Sequence, residues 1–110
     1  MITVSIQRDQ EGRITTFTVS GHADYGEHGQ DIVCAGVSAI VQTAILGLQE
    51  YLRIDCAGSQ KSGRIVCELP FIGPELRRSV DAILETMLLG LTAIASAYAG
   101  YVQIHDSKEV

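Results

Sequence analysis

Alternation of apolar and polar positions marks the start of the chain. Ile2, Val4 and Ile6 alternate with polar residues, which is the period of a half-buried β-strand. Residues 9–12 (DQEG) form a turn cluster. Residues 13–20 (RITTFTVS) are rich in β-branched and aromatic types. The pattern therefore predicts two strands joined as a hairpin.

A loop and a helix are predicted next. Residues 21–30 (GHADYGEHGQ) contain three glycines and no apolar period, which is typical of a loop. Asp31 then provides a good helix N-cap. Beyond it, apolar residues recur at spacings of three and four, which predicts an amphipathic helix of about five to six turns. Its apolar positions are Val33, Val37, Ile40, Val41, Ala44, Leu48 and Leu52.

The second half of the chain repeats the order of hairpin and helix. Residues 54–58 and 64–69 are predicted strands, and the polar residues between them form the turn. Pro74 lies in the first turn of a second helix, and Gly100 provides a stop. Residues 101–105 are predicted as a last strand. The apolar face of this helix comprises Leu76, Val80, Ile83, Leu84, Met87, Leu88, Leu91, Ile94, Ala95 and Tyr98.

The predicted order of elements is thus ββαββαβ. This order is typical of an α+β fold in which two helices pack on a mixed β-sheet. A length of 110 residues fits a single domain, residues 1–110. An apolar content of 46% is enough for a core, which argues against intrinsic disorder.

The charge and the cysteines limit the possible partners and the compartment. A formal net charge of -5 disfavours direct binding of nucleic acid and would attract a basic protein. The three cysteines, Cys34, Cys56 and Cys67, are widely spaced, so neither a disulfide scaffold nor a metal site is predicted. The N-terminus lacks the features of a signal peptide. We therefore expect a cytoplasmic protein without a cofactor.

The two helices are unusually apolar. Residues 32–49 and 86–104 contain no Asp, Glu, Lys or Arg, and their lengths approach that of a membrane span. Polar residues and glycines interrupt both segments, so we interpret them as buried helices and expect no membrane partner. Both helices are apolar over more than one face, which predicts a homodimer. The alternative is that the helices bury this surface against each other.

Candidate chemistry is concentrated where the loop joins the first helix. His22 follows the second predicted strand, and Cys34 lies in the first helical turn, 12 positions later. A strand-loop-helix connection can bring these two ends together. A helix N-terminus favours a thiolate, histidine can act as its base, and first-turn N–H groups could hold an oxyanion. This arrangement predicts a cysteine peptidase. Alternatively, Cys34 is a small packed residue and His22 a surface histidine.

Four neighbouring residues leave alternatives open. His28 is a rival base in the middle of the loop, whereas His105 is expected to face solvent at the end of the last strand. Asp31 could orient His22, although the capping role fits it better. Ser38 lies one turn beyond Cys34 and could support catalysis or serve in helix packing.

Cys56 and Cys67 are expected roughly opposite each other in the second hairpin. They could form a disulfide, although two small buried residues fit better. Two other function classes remain: a binding module without chemistry, and a thiol redox protein in which Cys34 pairs with Cys56 or Cys67.

Residues 21–40 (GHADYGEHGQDIVCAGVSAI) closely resemble the signature of the Prp-type ribosomal-processing cysteine proteases. The length and the element order also resemble this family over the whole chain. The resemblance implies an endopeptidase that removes the N-terminal extension of a large-subunit ribosomal protein, bacterial L-twenty-seven, after an aromatic-rich apolar stretch. It also implies homodimers, Cys34 as the nucleophile and His22 as its general base and acid.

The resemblance further implies that residues 22–33 form a flexible cover over the peptide site. Gly21, Tyr25, Gly26 and Gly29 are the candidate substrate-loop residues. One small departure is Gly36, where members of the family often carry alanine. Glycine inside a helix costs about 1 kcal/mol of helix propensity.

Overall fold

A five-stranded sheet carries two α-helices in the computed structural model, which describes residues 1–27, 29–61 and 63–108. The strands and helices follow the predicted order, and a π-helical segment, Gly47–Tyr51, continues the first helix. The elements are β1 Ile2–Arg8, β2 Ile14–Ser20, α1 Ile32–Leu46, β3 Ala57–Lys61, β4 Arg64–Glu68, α2 Pro74–Ala97 and β5 Val102–Lys108.

The sheet is mixed, as predicted. Its strand order is β3-β4-β2-β1-β5. β1 pairs with β2 in antiparallel fashion and with β5 in parallel, in a register that sets Ile2 opposite Val102. β4 is antiparallel to both β2 and β3. The predicted α+β fold with two helices on a mixed sheet is therefore confirmed.

The period of two in the strands explains where the core lies. Val4 and Ile6 of β1 are fully buried, whereas the intervening Thr3 and Ser5 are only partly buried on the other face of the sheet. The helices cover the apolar face through buried side chains at helical spacing. These are Val33, Val37 and Val41 of α1 and Val80, Leu84 and Leu91 of α2.

The second hairpin departs from the prediction. The strand expected over 54–58 runs over Ala57–Lys61 instead. Ile54 is buried, but it reaches the core from an irregular segment in which its N–H donates to the Leu48 carbonyl. β3 lies at the edge of the sheet and every one of its residues is exposed, so it has no apolar alternation to reveal it. β5 also continues to Lys108, beyond the predicted end at 105.

Glycines allow the two helices to approach closely. A Cβ added at Gly36, Gly47 or Gly90 would lie 3.1–3.3 Å from an isoleucine side chain of the other helix. Gly36 of α1 faces Ile94 of α2, so this glycine makes room for a contact that offsets its poor helix propensity. The helices therefore do bury part of their apolar surface against each other.

Other apolar side chains on the helices remain exposed. Leu46 on α1 is 56% exposed and Leu89 on α2 is 72% exposed. Between the helices lies an apolar groove of about 720 Å³ that includes Ile40 and Ile83. By length and composition alone, Ile32–Tyr51 and Pro74–Ala97 could cross a membrane. In the structure both helices pack on the sheet. Each also has a second apolar face, which borders the groove between them.

Candidate active site

The end of β2 directs the chain toward the start of α1. Gly21 follows the last residue of β2 and has a φ of +91°, a left-handed conformation that favours glycine. A Cβ at this position would collide with the carbonyl oxygen of Met1. Glycine is therefore required here, and the turn places His22 and Ala23 beside the first turn of α1.

Asp31 organises both the helix and the loop. Its Oδ1 accepts hydrogen bonds from the N–H groups of Val33 (3.0 Å) and Cys34 (3.1 Å), which confirms the predicted N-cap. Its Oδ2 accepts from the N–H groups of Tyr25 (2.8 Å) and Gly26 (3.2 Å). Both oxygens are therefore held by backbone donors, and the possible role of Asp31 in orienting His22 stays a prediction.

The same contacts set the ionisation of Asp31. Burial of the carboxyl, which is 8% exposed, acts to raise its pKa. The four backbone N–H donors outweigh that effect and hold the pKa below its usual value. Asp31 is therefore a buried carboxylate that ties the loop to the N-terminus of α1.

Cys34 is half-buried in the first turn of α1. The N–H of Ala23 donates to Cys34 Sγ at 3.3 Å, so the loop contacts the sulfur directly. The expected oxyanion role of the first-turn N–H groups is not seen. The Val33 and Cys34 N–H groups donate to the Asp31 side chain, and Ala35 donates to the Asp31 carbonyl.

The hairpin of β3 and β4 also reaches the site. The N–H of Gly21 donates to the Gly63 carbonyl at 2.9 Å. Gly63 has a φ of +77°, and a Cβ added there would lie 3.0 Å from His22 Nε2. The histidine ring therefore lies directly against the backbone of this turn. Gly63 is not among the predicted site residues, because a glycine in a hairpin turn does not indicate which distant side chain it contacts.

Cys34, His22 and Ser38 together line two adjoining cavities. One, of about 390 Å³, lies between α1, the end of β2 and the β3–β4 hairpin, and we call it the hairpin cavity. The other, of about 440 Å³, lies between α1 and the loop and includes Asp24, and we call it the loop cavity. The predicted pair, Cys34 and His22, thus lies on the wall that the two cavities share, and we call the two cavities together the cleft. Ser38 faces the same cleft, where its Oγ accepts from Gln42 Nε2 at 2.9 Å.

The loop before α1 is irregular, as predicted, and its first half is anchored. Ala23 is buried, and the Tyr25 ring makes edge-to-face contacts with Tyr98 and Tyr101 at centroid distances of 5.3 and 5.1 Å. Gly26 and Gly29 lie further along the wall of the loop cavity. The rival base His28 lies outside the described residues.

The remaining candidate histidine lies away from the cleft. His105 is exposed on β5, opposite Ser5 of β1. Within the ranges 1–27, 29–61 and 63–108, no group of three or more His, Cys, Asp or Glu side chains could hold a metal ion.

Cys56 and Cys67 are free thiols that contact each other. Cys67 is opposite Gly58 in the hairpin, and Cys56 lies just before β3, so the expected facing arrangement is only approximate. The Cys67 thiol donates to Cys56, which raises the pKa of Cys67 and lowers that of Cys56. Neither lines the cavities at Cys34, so the geometry gives no support to a Cys34 dithiol.

Replacing Asp31 by asparagine should weaken the dependence of the melting temperature on pH in the acid range. The pKa of Asp31 is lower in the folded than in the unfolded chain, where it is about 3.9. The stability that this depression contributes is present above the unfolded value and is lost as the pH falls through the folded value. The melting temperature of Asp31→Asn should therefore fall furthest below wild type near about pH 6, and the gap should narrow near about pH 3.

Asp55→Asn is the matched control, because Asp55 is exposed and makes no hydrogen bond among the residues described. Its melting temperature should follow that of wild type at both pH values. If the difference in melting temperature between Asp31→Asn and wild type is the same at both pH values, the charge of the carboxylate is not what holds the loop.

Comparison with known proteins shows the family to which this chain is similar. The family model "Cysteine protease Prp" matches residues 1–103. The chain is 36% identical over 115 residues to the ribosomal processing cysteine protease Prp of Staphylococcus aureus, covering 96% of this chain and 98% of that protein. It is 32% identical over 111 residues to the Bacillus subtilis protein of the same description, covering 94% and 96%.

Solved structures of related proteins are also similar to this chain over nearly its whole length. A crystal structure of the Staphylococcus aureus protease Prp with a covalently linked product peptide superposes with a TM-score of 0.84, at 32% identity, covering 97% of this chain and all of that one. A second crystal structure of that protease, with a substrate peptide, gives a TM-score of 0.80 at 28% identity and covers 99% of this chain. The chain is therefore a cysteine protease that belongs to the Prp family.

Proposed function

We propose that this protease removes the N-terminal extension of the ribosomal protein L-twenty-seven, with Cys34 as the nucleophile and His22 as its general base and acid. One observation carries the assignment of the residues: Cys34 and His22 line the same two cavities, at the point where these adjoin. The relatives' description as ribosomal processing proteases supports the substrate class.

The proposed reaction has two stages. Cys34 Sγ loses its proton to His22 and attacks the scissile carbonyl carbon, and the C–N bond then breaks as His22 returns the proton to the leaving amine. The extension remains on Cys34 as a thioester. Water, deprotonated by His22, attacks this thioester carbonyl and releases the extension as a carboxylic acid with the thiol restored. The Ala23 N–H, which donates to Sγ at 3.3 Å, fixes the position of the sulfur beside the loop.

The shape of the cleft favours an endopeptidase. The hairpin cavity and the loop cavity both reach Cys34, and in this proposal an extended peptide passes across the thiol with residues in both. A pocket closed on one side would instead select a chain end. In this proposal the loop before α1 covers the bound peptide; it ends at the N-cap Asp31 rather than at the implied residue 33, because α1 begins at Ile32. Gly29 in this loop has a φ of +87°, a conformation that favours glycine.

The partner and the compartment follow from charge and thiol chemistry. Ribosomal proteins are basic, and this chain carries a net charge of -5. The crystal structure of the Staphylococcus aureus relative with a substrate peptide supports a peptide as the ligand of this fold. We place the enzyme in the cytoplasm, where ribosomes assemble and thiols stay reduced. The three cysteines are free thiols, which fits such a compartment.

Mass spectrometry of the intact ribosomal protein tests this function. Incubation of full-length L-twenty-seven with the enzyme should reduce its mass by that of the extension and yield one shorter N-terminus. A substrate with the order of the extension residues scrambled should remain intact. An unchanged mass with an enzyme that is folded and whose Cys34 reacts with iodoacetamide would reject the proposed substrate.

We also propose that the protease is a homodimer that pairs through the outer face of α1 and α2. This face carries the exposed Leu46 and Leu89 beside the apolar groove of about 720 Å³. Exposed apolar surface of this kind is typical of an interface between protein chains. A second copy of the same face would bury both leucines and fill the groove.

Sedimentation at micromolar concentration should give about twice the 11.8 kDa chain mass. Leu89→Glu places a charge in the centre of the apolar face, so it should yield a folded monomer. Gln10→Glu adds the same charge in an exposed turn and should leave the dimer intact. A wild-type protein that sediments as a monomer would overturn this proposal.

A further inference from the structure

Two basic side chains face the hairpin cavity beside the candidate nucleophile. Lys61 at the end of β3 and Arg64 at the start of β4 both line this cavity together with Cys34 and His22. Among the described residues that line it there is no Asp or Glu. The loop cavity on the other side of Cys34 instead contains Asp24 and Asp31. The two halves of the cleft therefore differ in charge.

Within the ranges 1–27, 29–61 and 63–108, the two cations have no carboxylate partner. Arg8, Arg13 and Arg77 each form an ion pair with a carboxylate of this chain. Neither Lys61 nor Arg64 makes an ion pair or a side-chain hydrogen bond within the described part of the chain. Lys61 and Arg64 therefore bring two positive charges to the cavity, and no carboxylate of the described residues that line it neutralises them.

The positions of Lys61 and Arg64 on the hairpin also make the protein without a bound ligand less stable. Lys61 and Arg64 are directly opposite each other in the antiparallel pairing of β3 and β4. Like charges at directly opposite positions destabilise a β-hairpin. An anionic ligand between them would relieve this repulsion and form charge-assisted hydrogen bonds with both side chains.

From this geometry we propose that Lys61 and Arg64 form a subsite that binds a carboxylate of the peptide. The proposal rests on the peptidase function and adds a determinant of its specificity. The carboxylate has two possible sources: an Asp or Glu side chain in the bound peptide, or the new terminal carboxylate of the released extension. The same two cations can hold either one.

The test of the side-chain source compares paired peptides. Each pair spans the cleavage site and differs only by Glu or Gln at one position of the extension. We expect wild type to favour the Glu member of one pair by roughly three- to tenfold in kcat/KM. This ratio should fall toward one in a Lys61→Gln/Arg64→Gln variant and in high salt. Arg78→Gln removes an exposed cation of α2 that does not line the cavity, and it should preserve the ratio.

The second arm measures inhibition by the released extension with a free carboxylate or a carboxamide terminus. If the subsite holds the product, the carboxylate form should inhibit wild type more strongly, and the double variant should lose that difference. The proposal is overturned if wild type cleaves all the peptides but discriminates neither Glu from Gln nor carboxylate from carboxamide. A failure to cleave any peptide would instead count against the proposed function.

Discussion

Cys34→Ala is expected to abolish peptide cleavage, with a loss of at least about 10⁴-fold in kcat. The thiol is the group that lies at the junction of the two cavities and accepts a hydrogen bond from the Ala23 N–H. No thioester can form without it. The variant should fold and still bind the extension, because Cys34 is half-buried and alanine leaves the surrounding helix intact. Cleavage is followed by mass spectrometry, folding by thermal melting and binding by calorimetry.

Cys56→Ala is the matched control for this substitution. Cys56 contacts Cys67 and lines neither cavity at Cys34, so its removal should leave cleavage close to the wild-type rate. Cys34→Ala, together with a Cys56→Ala/Cys67→Ala variant that keeps Cys34 as the single cysteine, separates the peptidase from the two other function classes. A dithiol enzyme would require a second cysteine, and a binding module would keep its cellular activity without Cys34. Processing of the extension by Cys34→Ala would reject the assignment at this site.

His22→Ala should lower kcat by about 10²- to 10⁴-fold, the usual contribution of a general acid and base. The His22 ring lies against Gly63 and lines both cavities with Cys34. In the proposed mechanism it takes a proton from the thiol and returns it to the leaving amine. The loss should appear mainly in kcat, because the cleft that binds the peptide stays in place. Steady-state kinetics of the variant against the extension peptide measure it.

Two histidine variants serve as controls. His105→Ala should retain activity, since His105 is exposed on β5 away from the cleft. His28→Ala should lose little by comparison with His22→Ala. If His28 were the sensitive histidine and His22 the tolerant one, the argument from the end of β2 would be wrong.

Much of the fold could be predicted because most elements bury one face. β1 and the two helices each present buried side chains at a regular period, and the chain shows that period directly. β3 could not be located, since an exposed edge strand buries nothing and its residues carry no pattern. The strand was predicted to begin at Ile54 because that residue is apolar. Ile54 is indeed buried, but it lies in an irregular connection and not in a strand.

The candidate site was predictable where its residues are close in sequence. His22, Asp31 and Cys34 all lie within one strand-loop-helix connection, so local structure is enough to bring them together. The contributions of Lys61, Gly63 and Arg64 were not predictable. They depend on how the hairpin of β3 and β4 registers against β2, which is decided by pairing between segments distant in sequence.

Asp31 has one role that could be predicted from the local sequence and a second that could not. Its capping role follows from local sequence, because an aspartate before an apolar helical period is a strong N-cap signal. Its second role, binding the Tyr25 and Gly26 N–H groups, depends on the path of the glycine-rich loop. That path is set by the contact of Tyr25 with Tyr98 and Tyr101, residues more than 70 positions away.

The central claim is that Cys34 forms a covalent bond to the substrate carbonyl. It is tested most directly with an extension peptide that ends in a ¹³C-labelled aldehyde at the cleaved position, observed by carbon NMR. The Cys34 thiol should add across the aldehyde C=O, and the labelled carbon should move to the shift of a thiohemiacetal in wild type and in Cys56→Ala. The signal should be absent in Cys34→Ala. A thiohemiacetal that persists in Cys34→Ala, or that fails to form in an active wild-type enzyme, would contradict the account.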